Sequence, residues 1–258
     1  MLLTLLRLYL GFKGTTLGNK GLAMSSPNFQ EDLALLNTCW WYVWNWKKDL
    51  TFSDNGYIPM IRDWLYKDYP EPSYLLVGNE PNAIEKWGYP MMPEEASFRV
   101  AYLQKRYPNT YMIVGNVSYD DWSSYGQLNN MAGLEWLERF LTSYSNINGS
   151  DYKQGLGIHI YSSNIIEGIK QIKDIKSRHK NIWLTEYNLI SKRLSIKQFK
   201  MLTQYISETF DCYAVYTNRQ DKDYEENFPY DVDMVDEYNN LTTQGLVYSK
   251  FPKYGVRV

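Results

Sequence analysis

Gly157-Ile158-His159-Ile160-Tyr161, then Ile165 to His179, then Ile182-Trp183-Leu184-Thr185 spell strand, helix, strand. The two short runs are apolar, β-branched or aromatic almost throughout, as parallel strands covered on both faces require. The segment between them carries apolar residues at helical spacing. The same alternation extends in both directions. Six further strand-like runs lie at Gly21–Met24, Cys39–Trp44, Tyr57–Ile61, Tyr74–Val77, Met112–Val117 and Cys212–Tyr216, which makes eight.

Helix-like segments separate most of them. Pro93 opens one with two glutamates in its first turn, and it runs to about Tyr107, ahead of Pro108. Gly133–Tyr144 places Leu134, Leu137, Leu141 and Tyr144 on one face. Ser195 is a candidate N-cap for Ser195–Phe210. The early helices are short, at Pro27–Leu36 and Arg62–Tyr69, and too few residues join the second and third strands for a full helix. Leu241–Phe251 reads as a turn and a closing helix. The pattern predicts an α/β fold: one compact (β/α)8 barrel over 20–258, with short early helices, after an N-terminal extension over 1–19.

Composition narrows the function. A chain of 258 residues with net charge -2 has no electrostatic grip on nucleic acid or an anionic membrane. The stretch Met1 to Gly11 is apolar but interrupted by Arg7, too short for a membrane span, and it departs from a signal-peptide pattern. Two cysteines, Cys39 and Cys212, lie in strand-like runs and read as buried free thiols. With only His159 and His179 besides, a zinc site is not expected, nor any other cofactor. Nothing calls for more than a monomer. The unusual feature is 24 Tyr and 9 Trp, whose rings fill cores but also stack on sugars.

In a barrel, chemistry sits at the carboxyl ends of the strands. The fourth run continues Val77-Gly78-Asn79-Glu80-Pro81, and the seventh continues Thr185-Glu186-Tyr187. A lone glutamate at a strand end is usually a solvated charge or an arginine's partner. Two of them, after strands that face each other across a barrel mouth, form the pair that glycoside hydrolysis needs. One donates a proton to the leaving oxygen and the other attacks the anomeric carbon. Asn79 can hydrogen-bond the sugar 2-hydroxyl. Trp44 and Trp46 flank Asn45 at the end of the second strand and can stack on sugar rings. Asn116, at the end of the fifth strand, and Trp122, on the loop beyond it, are further candidate substrate contacts. Trp87, Tyr89, Tyr119, Tyr125, Tyr224, Phe228 and Tyr230 add aromatics on loops after the fourth, fifth and eighth strands.

Gly78-Asn79-Glu80-Pro81 with Trp183-Leu184-Thr185-Glu186-Tyr187 resembles the clan of (β/α)8 retaining glycosidases. More narrowly, Lys20-Gly21-Leu22-Ala23, Trp44-Asn45-Trp46, Ile58-Pro59-Met60 and Asn240 to Tyr248 make the chain similar to glycoside hydrolase family 128, the glycosyl hydrolase catalytic core whose members cleave β-1,3-glucan. The resemblance implies a retaining, endo-acting β-1,3-glucanase with Glu80 as general acid/base and Glu186 as nucleophile. It implies that His159 and Tyr161 line the site, with Tyr161 bonded to Glu186. A polysaccharide or oligosaccharide is then the partner, and the substrate class favours an extracellular setting. Two alternatives stand beside it: a carbohydrate-binding or adhesin protein on a barrel without turnover, and a β-1,4-glycanase of the same clan.

Overall fold

The computed structural model describes residues 18–25, 30–47, 49–51, 56–65, 70–126, 129–191, 195–220, 230 and 232–253. Most of the expected N-terminal extension lies outside the described residues, as do Tyr224 and Phe228.

Eight parallel strands form one sheet: β1 (Lys20–Ala23), β2 (Trp40–Tyr42), β3 (Met60–Ile61), β4 (Tyr74–Val77), β5 (Tyr111–Ser118), β6 (Gly155–Ser162), β7 (Ile182–Leu189) and β8 (Tyr213–Tyr216). Their order is β2-β1-β8-β7-β6-β5-β4-β3. The two ends of that ladder meet: Trp41 bridges Tyr57 in parallel, and Ile58 N donates to Trp41 O at 2.8 Å. The sheet thus curls into the expected (β/α)8 barrel. β3 is the weakest stave, because Pro59 has no N–H to give to a ladder and splits the expected run Tyr57–Ile61.

Helices α1 (Glu31–Leu35), α2 (Pro93–Arg106), α3 (Gly133–Asn148), α4 (Ile165–Arg178), α5 (Ile196–Thr209) and α6 (Thr243–Ser249) cover the outside. Ser195 caps α5 by accepting from Gln198 N, and Asn164 caps α4 by accepting from Ile166 N and Glu167 N. The helix expected over Arg62–Tyr69 is not seen in its described part. Residues 62–65 turn there, and Trp64 takes φ 59°, which no α-helix permits. Cys39 and Cys212 are free thiols, Cys212 buried and Cys39 half-buried. Among the described residues no helix is long and apolar enough to cross a membrane.

Side chains alternate between two cores. Outward residues such as Leu75, Val77, Ile158, Ile160 and Leu184 pack beneath the helices. Inward residues, among them Ala23, Trp40, Tyr42, Met60, Leu76, Ile113 and Trp183, fill the barrel. Trp183 closes the floor against Trp40, Tyr74 and Tyr111, with ring centroids 5.5, 6.1 and 6.1 Å away. Each such ring contributes about 1.5–3 kcal/mol by leaving water.

The alternation slips at two places. β5 gains a residue between Val114 and Val117 relative to β6. β7 gains one between Leu184 and Tyr187 relative to both β6 and β8. Such bulges re-aim the next side chain. In β7 the bulge lets Glu186 face the barrel interior while Leu184 and Tyr187 both stay in the outer core.

Candidate active site

The acid-bearing turn after β4 is built by close approach. Gly78 sits at φ 82°, where a Cβ would meet the Trp64 ring at 2.2 Å. Glu80 itself takes φ 44°, and its amide donates to Asn116 O at 2.9 Å. Gly88 lets the following loop fold back, since a Cβ there would stand 2.2 Å from Glu80 O. Asn82 then ties this turn to β5: it donates to Ser118 O at 2.9 Å and accepts from Ser118 N at 3.0 Å.

Glu186 is 4% exposed and ringed by donors. Tyr42 Oη reaches its Oε1 at 2.7 Å, Trp44 Nε1 reaches the same oxygen at 3.0 Å, and Tyr161 Oη reaches Oε2 at 2.5 Å. Burial and the Glu186 charge push both tyrosine hydroxyls well above their ordinary range, so they stay protonated and donate. Three charge-assisted hydrogen bonds fix the carboxylate in position.

His159 joins the two acids. It is fully enclosed. Its Nδ1 lies 2.9 Å from Glu80 Oε1, and its Nε2 lies 3.4 Å from Glu186 Oε1, close enough for charge attraction but outside hydrogen-bond geometry. Burial alone would lower the imidazole's pKa, but the Glu186 charge and the Glu80 hydrogen bond outweigh it and raise it. Burial raises the Glu80 pKa, and the neighbouring Glu186 and Asp120 charges add to it against the pull of His159. Two carboxylates in one site therefore have different surroundings: Glu80 is pushed toward its protonated form, and Glu186 is dressed with donors.

One oxygen of each carboxylate and a ring nitrogen of His159 lie within 4.8 Å of one another, a spacing that could in principle hold a cation. Those atoms are already engaged. Glu80 Oε1 meets His159 Nδ1, and both oxygens of Glu186 accept from aromatic donors. The donor set fits an internal hydrogen-bonded network better than a metal.

The structure brings together Glu80, Glu186, His159, Tyr161 and Trp44. Asn79 is nearly buried beside Glu80, and its Oδ1 is buried without a hydrogen-bond partner among the described residues. Asn116, expected as a substrate contact, is instead fully buried on the β5 bulge. Its Nδ2 donates to Gly78 O at 2.9 Å, so it supports the acid-bearing turn from behind. Trp46 is half-buried and packs against Tyr107, with centroids 6.2 Å apart. Trp122 is half-buried against Tyr125 at 5.4 Å. Tyr119 turns outward and donates to Asp174 on α4 at 3.0 Å. Tyr42 was not among the residues expected at the site. Its signal was its place as the last inward position of β2, two residues before Trp44. Tyr216 also belongs here, its ring 5.8 Å from both Trp44 and Tyr161.

The family model for the glycosyl hydrolase catalytic core matches residues 21–248. The chain belongs to this family. Among curated proteins, none matches it. Among solved structures, this glycosyl hydrolase core is similar to a family 128 (subgroup II) endo-β-1,3-glucanase from Sorangium cellulosum, at 20% identity and TM-score 0.69, over 92% of this chain and 99% of that one. It is similar to a subgroup I endo-β-1,3-glucanase from Amycolatopsis mediterranei in complex with laminaritriose, at 19% identity and TM-score 0.67, over 90% and 98%. It is also similar to a subgroup VII oligosaccharide-binding protein from Cryptococcus neoformans, at 16% identity and TM-score 0.61, over 92% and 95%. At these identities the likeness is one of fold.

Proposed function

We propose that the chain is a retaining glycoside hydrolase that cleaves β-1,3-linked glucan by double displacement. Glu186 attacks the anomeric carbon while Glu80 protonates the leaving oxygen. Glu80 then takes a proton from water, and that water releases the glycosyl group with its configuration retained. The observation that carries this reading is the short reach between the acids, with one oxygen of each within 4.8 Å of the other. Retaining enzymes hold the pair about 5–5.5 Å apart, whereas inverting enzymes need about 6.5–9.5 Å to admit a water. The glucan linkage is supported by the similar enzymes from Sorangium cellulosum and Amycolatopsis mediterranei, both β-1,3-glucanases.

A second reading is favoured by the oligosaccharide-binding protein of the same fold. In it the barrel binds sugar and does not turn over. Hydrolysis of a panel of soluble β-glucans by the wild type and Glu186→Ala separates the two. Reducing ends report cleavage, and NMR of the first-formed product reports its anomer. Cleavage of β-1,3-glucan to the β-anomer, lost in the variant, is the expected result. An α-anomer would overturn the double displacement. Binding without cleavage in either protein would establish the second reading.

A further inference from the structure

A near-neutral chain predicts no grip on an anionic membrane, but the sum conceals a local imbalance. From Ile165 to Thr209 the chain carries nine lysines and arginines against four acids, whereas the whole chain has 27 against 29. Four of those lysines, Lys170, Lys173, Lys197 and Lys200, are exposed on the outer faces of α4 and α5.

The two helices lie side by side. Ile165 N donates to Gln198 Oε1 at 3.3 Å, and Leu202 stands 3.0 Å from where a Cβ on Gly168 would be. Ile166, Lys170 and Lys173 follow at helical spacing and share one face of α4. Lys197, Lys200 and Met201 do the same on α5. With a rise of about 1.5 Å per residue and helices about 8–10 Å apart, the lysines cover a patch roughly 15 Å long and 10 Å wide. Each charge therefore lies within about one screening length of the next, about 10 Å at 0.1 M salt.

Nothing among the described residues neutralises this patch. None of the four lysines makes an ion pair or a hydrogen bond there. The acids of the same helices are engaged elsewhere. Glu167 accepts from Ser163 N and Oγ at 2.8 and 2.6 Å. Asp174 accepts from Tyr119 Oη at 3.0 Å and Arg178 Nε at 3.1 Å, and Glu208 accepts from Gln204 Nε2 at 3.0 Å. Lysines three residues apart repel each other, and an anionic partner relieves that repulsion. Two aliphatic side chains stand among the charges: Ile166 is 80% exposed and Met201 49%. No exposed aromatic ring accompanies them among the described residues, as stacking on a polysaccharide would need. Lysines mixed with aliphatic side chains suit the boundary between lipid headgroups and acyl chains.

We propose that the outer face of α4 and α5 is a docking surface for an anionic lipid bilayer. Lys170, Lys173, Lys197 and Lys200 meet the headgroups, and Ile166 and Met201 enter the interface. Each helix returns antiparallel to the strand before it, so Ile166 and Lys197, near the helix N-termini, lie toward the catalytic rim. Docking holds the barrel mouth beside the membrane. The inference goes beyond the hydrolase reading and does not depend on it.

Co-sedimentation of the full chain with vesicles of equal parts phosphatidylserine and phosphatidylcholine tests it, against vesicles of phosphatidylcholine alone. Binding to the first and not the second is expected, and it should be lost near 1 M salt, where the screening length falls to about 3 Å. A lysine at an anionic surface contributes about fivefold, so Lys170→Gln with Lys200→Gln should weaken binding about 25-fold. Ile166→Ser should weaken it by up to about tenfold and leave the salt dependence unchanged. Both variants alter only the solvent face and should melt as the wild type does, which separates lost docking from lost folding. Equal sedimentation with the two kinds of vesicle, or a double variant that binds as the wild type does, overturns the docking surface. Tighter retention by alginate, an acidic polysaccharide, than by the vesicles, with Ile166→Ser unchanged, overturns the bilayer as its occupant.

Discussion

Asn116→Ala tests the claim that the acid is held from behind. Asn116 sits at φ 47° and is fully buried. Its amide donates to Gly78 O at 2.9 Å, and its carbonyl accepts the Glu80 amide at 2.9 Å. Alanine at this position has two costs. A side chain with no local hydrogen bond is strained in the left-handed region, by about 1 kcal/mol more than asparagine. Removing the amide takes a donor from a buried carbonyl, at about 1–3 kcal/mol. The sum is about 2–4 kcal/mol. A domain of this size melts about 2–4 °C lower for each kcal/mol, so the expected drop is roughly 4–16 °C. Asn116→Gly separates the two costs. It keeps a relaxed backbone and loses only the amide, and should recover about 1 kcal/mol. Circular dichroism melts measure both variants, and kcat/KM on the folded fraction should fall in each because the Glu80 turn loosens. An alanine variant melting within about 2 °C of the wild type, or a glycine variant melting below it, would refute this account.

Three further outcomes follow from the same site. Because burial raises Glu80's pKa, activity should persist above the ordinary carboxylate range and fall as pH rises through that raised value and the acid loses its proton. Glu80→Gln should abolish that alkaline limb, and Asp120→Asn should move it to lower pH by removing a neighbouring negative charge; an unmoved limb in both would exclude Glu80 as the acid. With only two histidines, an NMR titration should show one imidazole above its ordinary pKa and one below, since burial lowers His179 while the carboxylates raise His159. Glu186→Gln should bring the higher one down, and identical titrations in the two proteins would count against the shared network. Arg219→Ala should destabilise the fold by about 3–5 kcal/mol in urea unfolding, because it strands Asp32, which is 0% exposed and takes two guanidinium contacts at 2.8 Å. A loss below about 1 kcal/mol would mean that the pair is not a lock.

The regular parts of the barrel were legible because their signals are physical ones. β4 was read to the residue, and α2, α3, α4 and α5 to within a few residues of their ends, since long apolar stripes bounded by caps and prolines leave little choice. The reading weakened where local chemistry overrides pattern. β7 was expected to stop at Thr185, before the charge, yet it runs on to Leu189. A buried glutamate supplied with three donors need not end a strand. Arg62–Tyr69 looked helical by composition, but Trp64 at φ 59° breaks any helix there. Asn116 looked like a mouth residue because it is polar near a strand end. The β5 bulge, which no periodicity announces, buries it instead. Tyr42 escaped notice for the opposite reason: in a run of Trp40-Trp41-Tyr42, nothing in composition separates a core ring from a hydroxyl donor.

The bulge in β7 also means that Glu186 owes its height in the barrel to the neighbouring strands rather than to its count along its own. Ile158 pairs with Leu184 and His159 with Glu186, so Thr185 is the residue the neighbours pass over. Between Leu184 and Tyr187 the same extra residue is set against β8. Removing Thr185 would leave Glu186 and Tyr187 opposite their present partners, and what would change is the local twist and the angle at which the carboxylate leaves the strand. In this strand a residue with no partner of its own in the register sets the aim of the one that carries the chemistry.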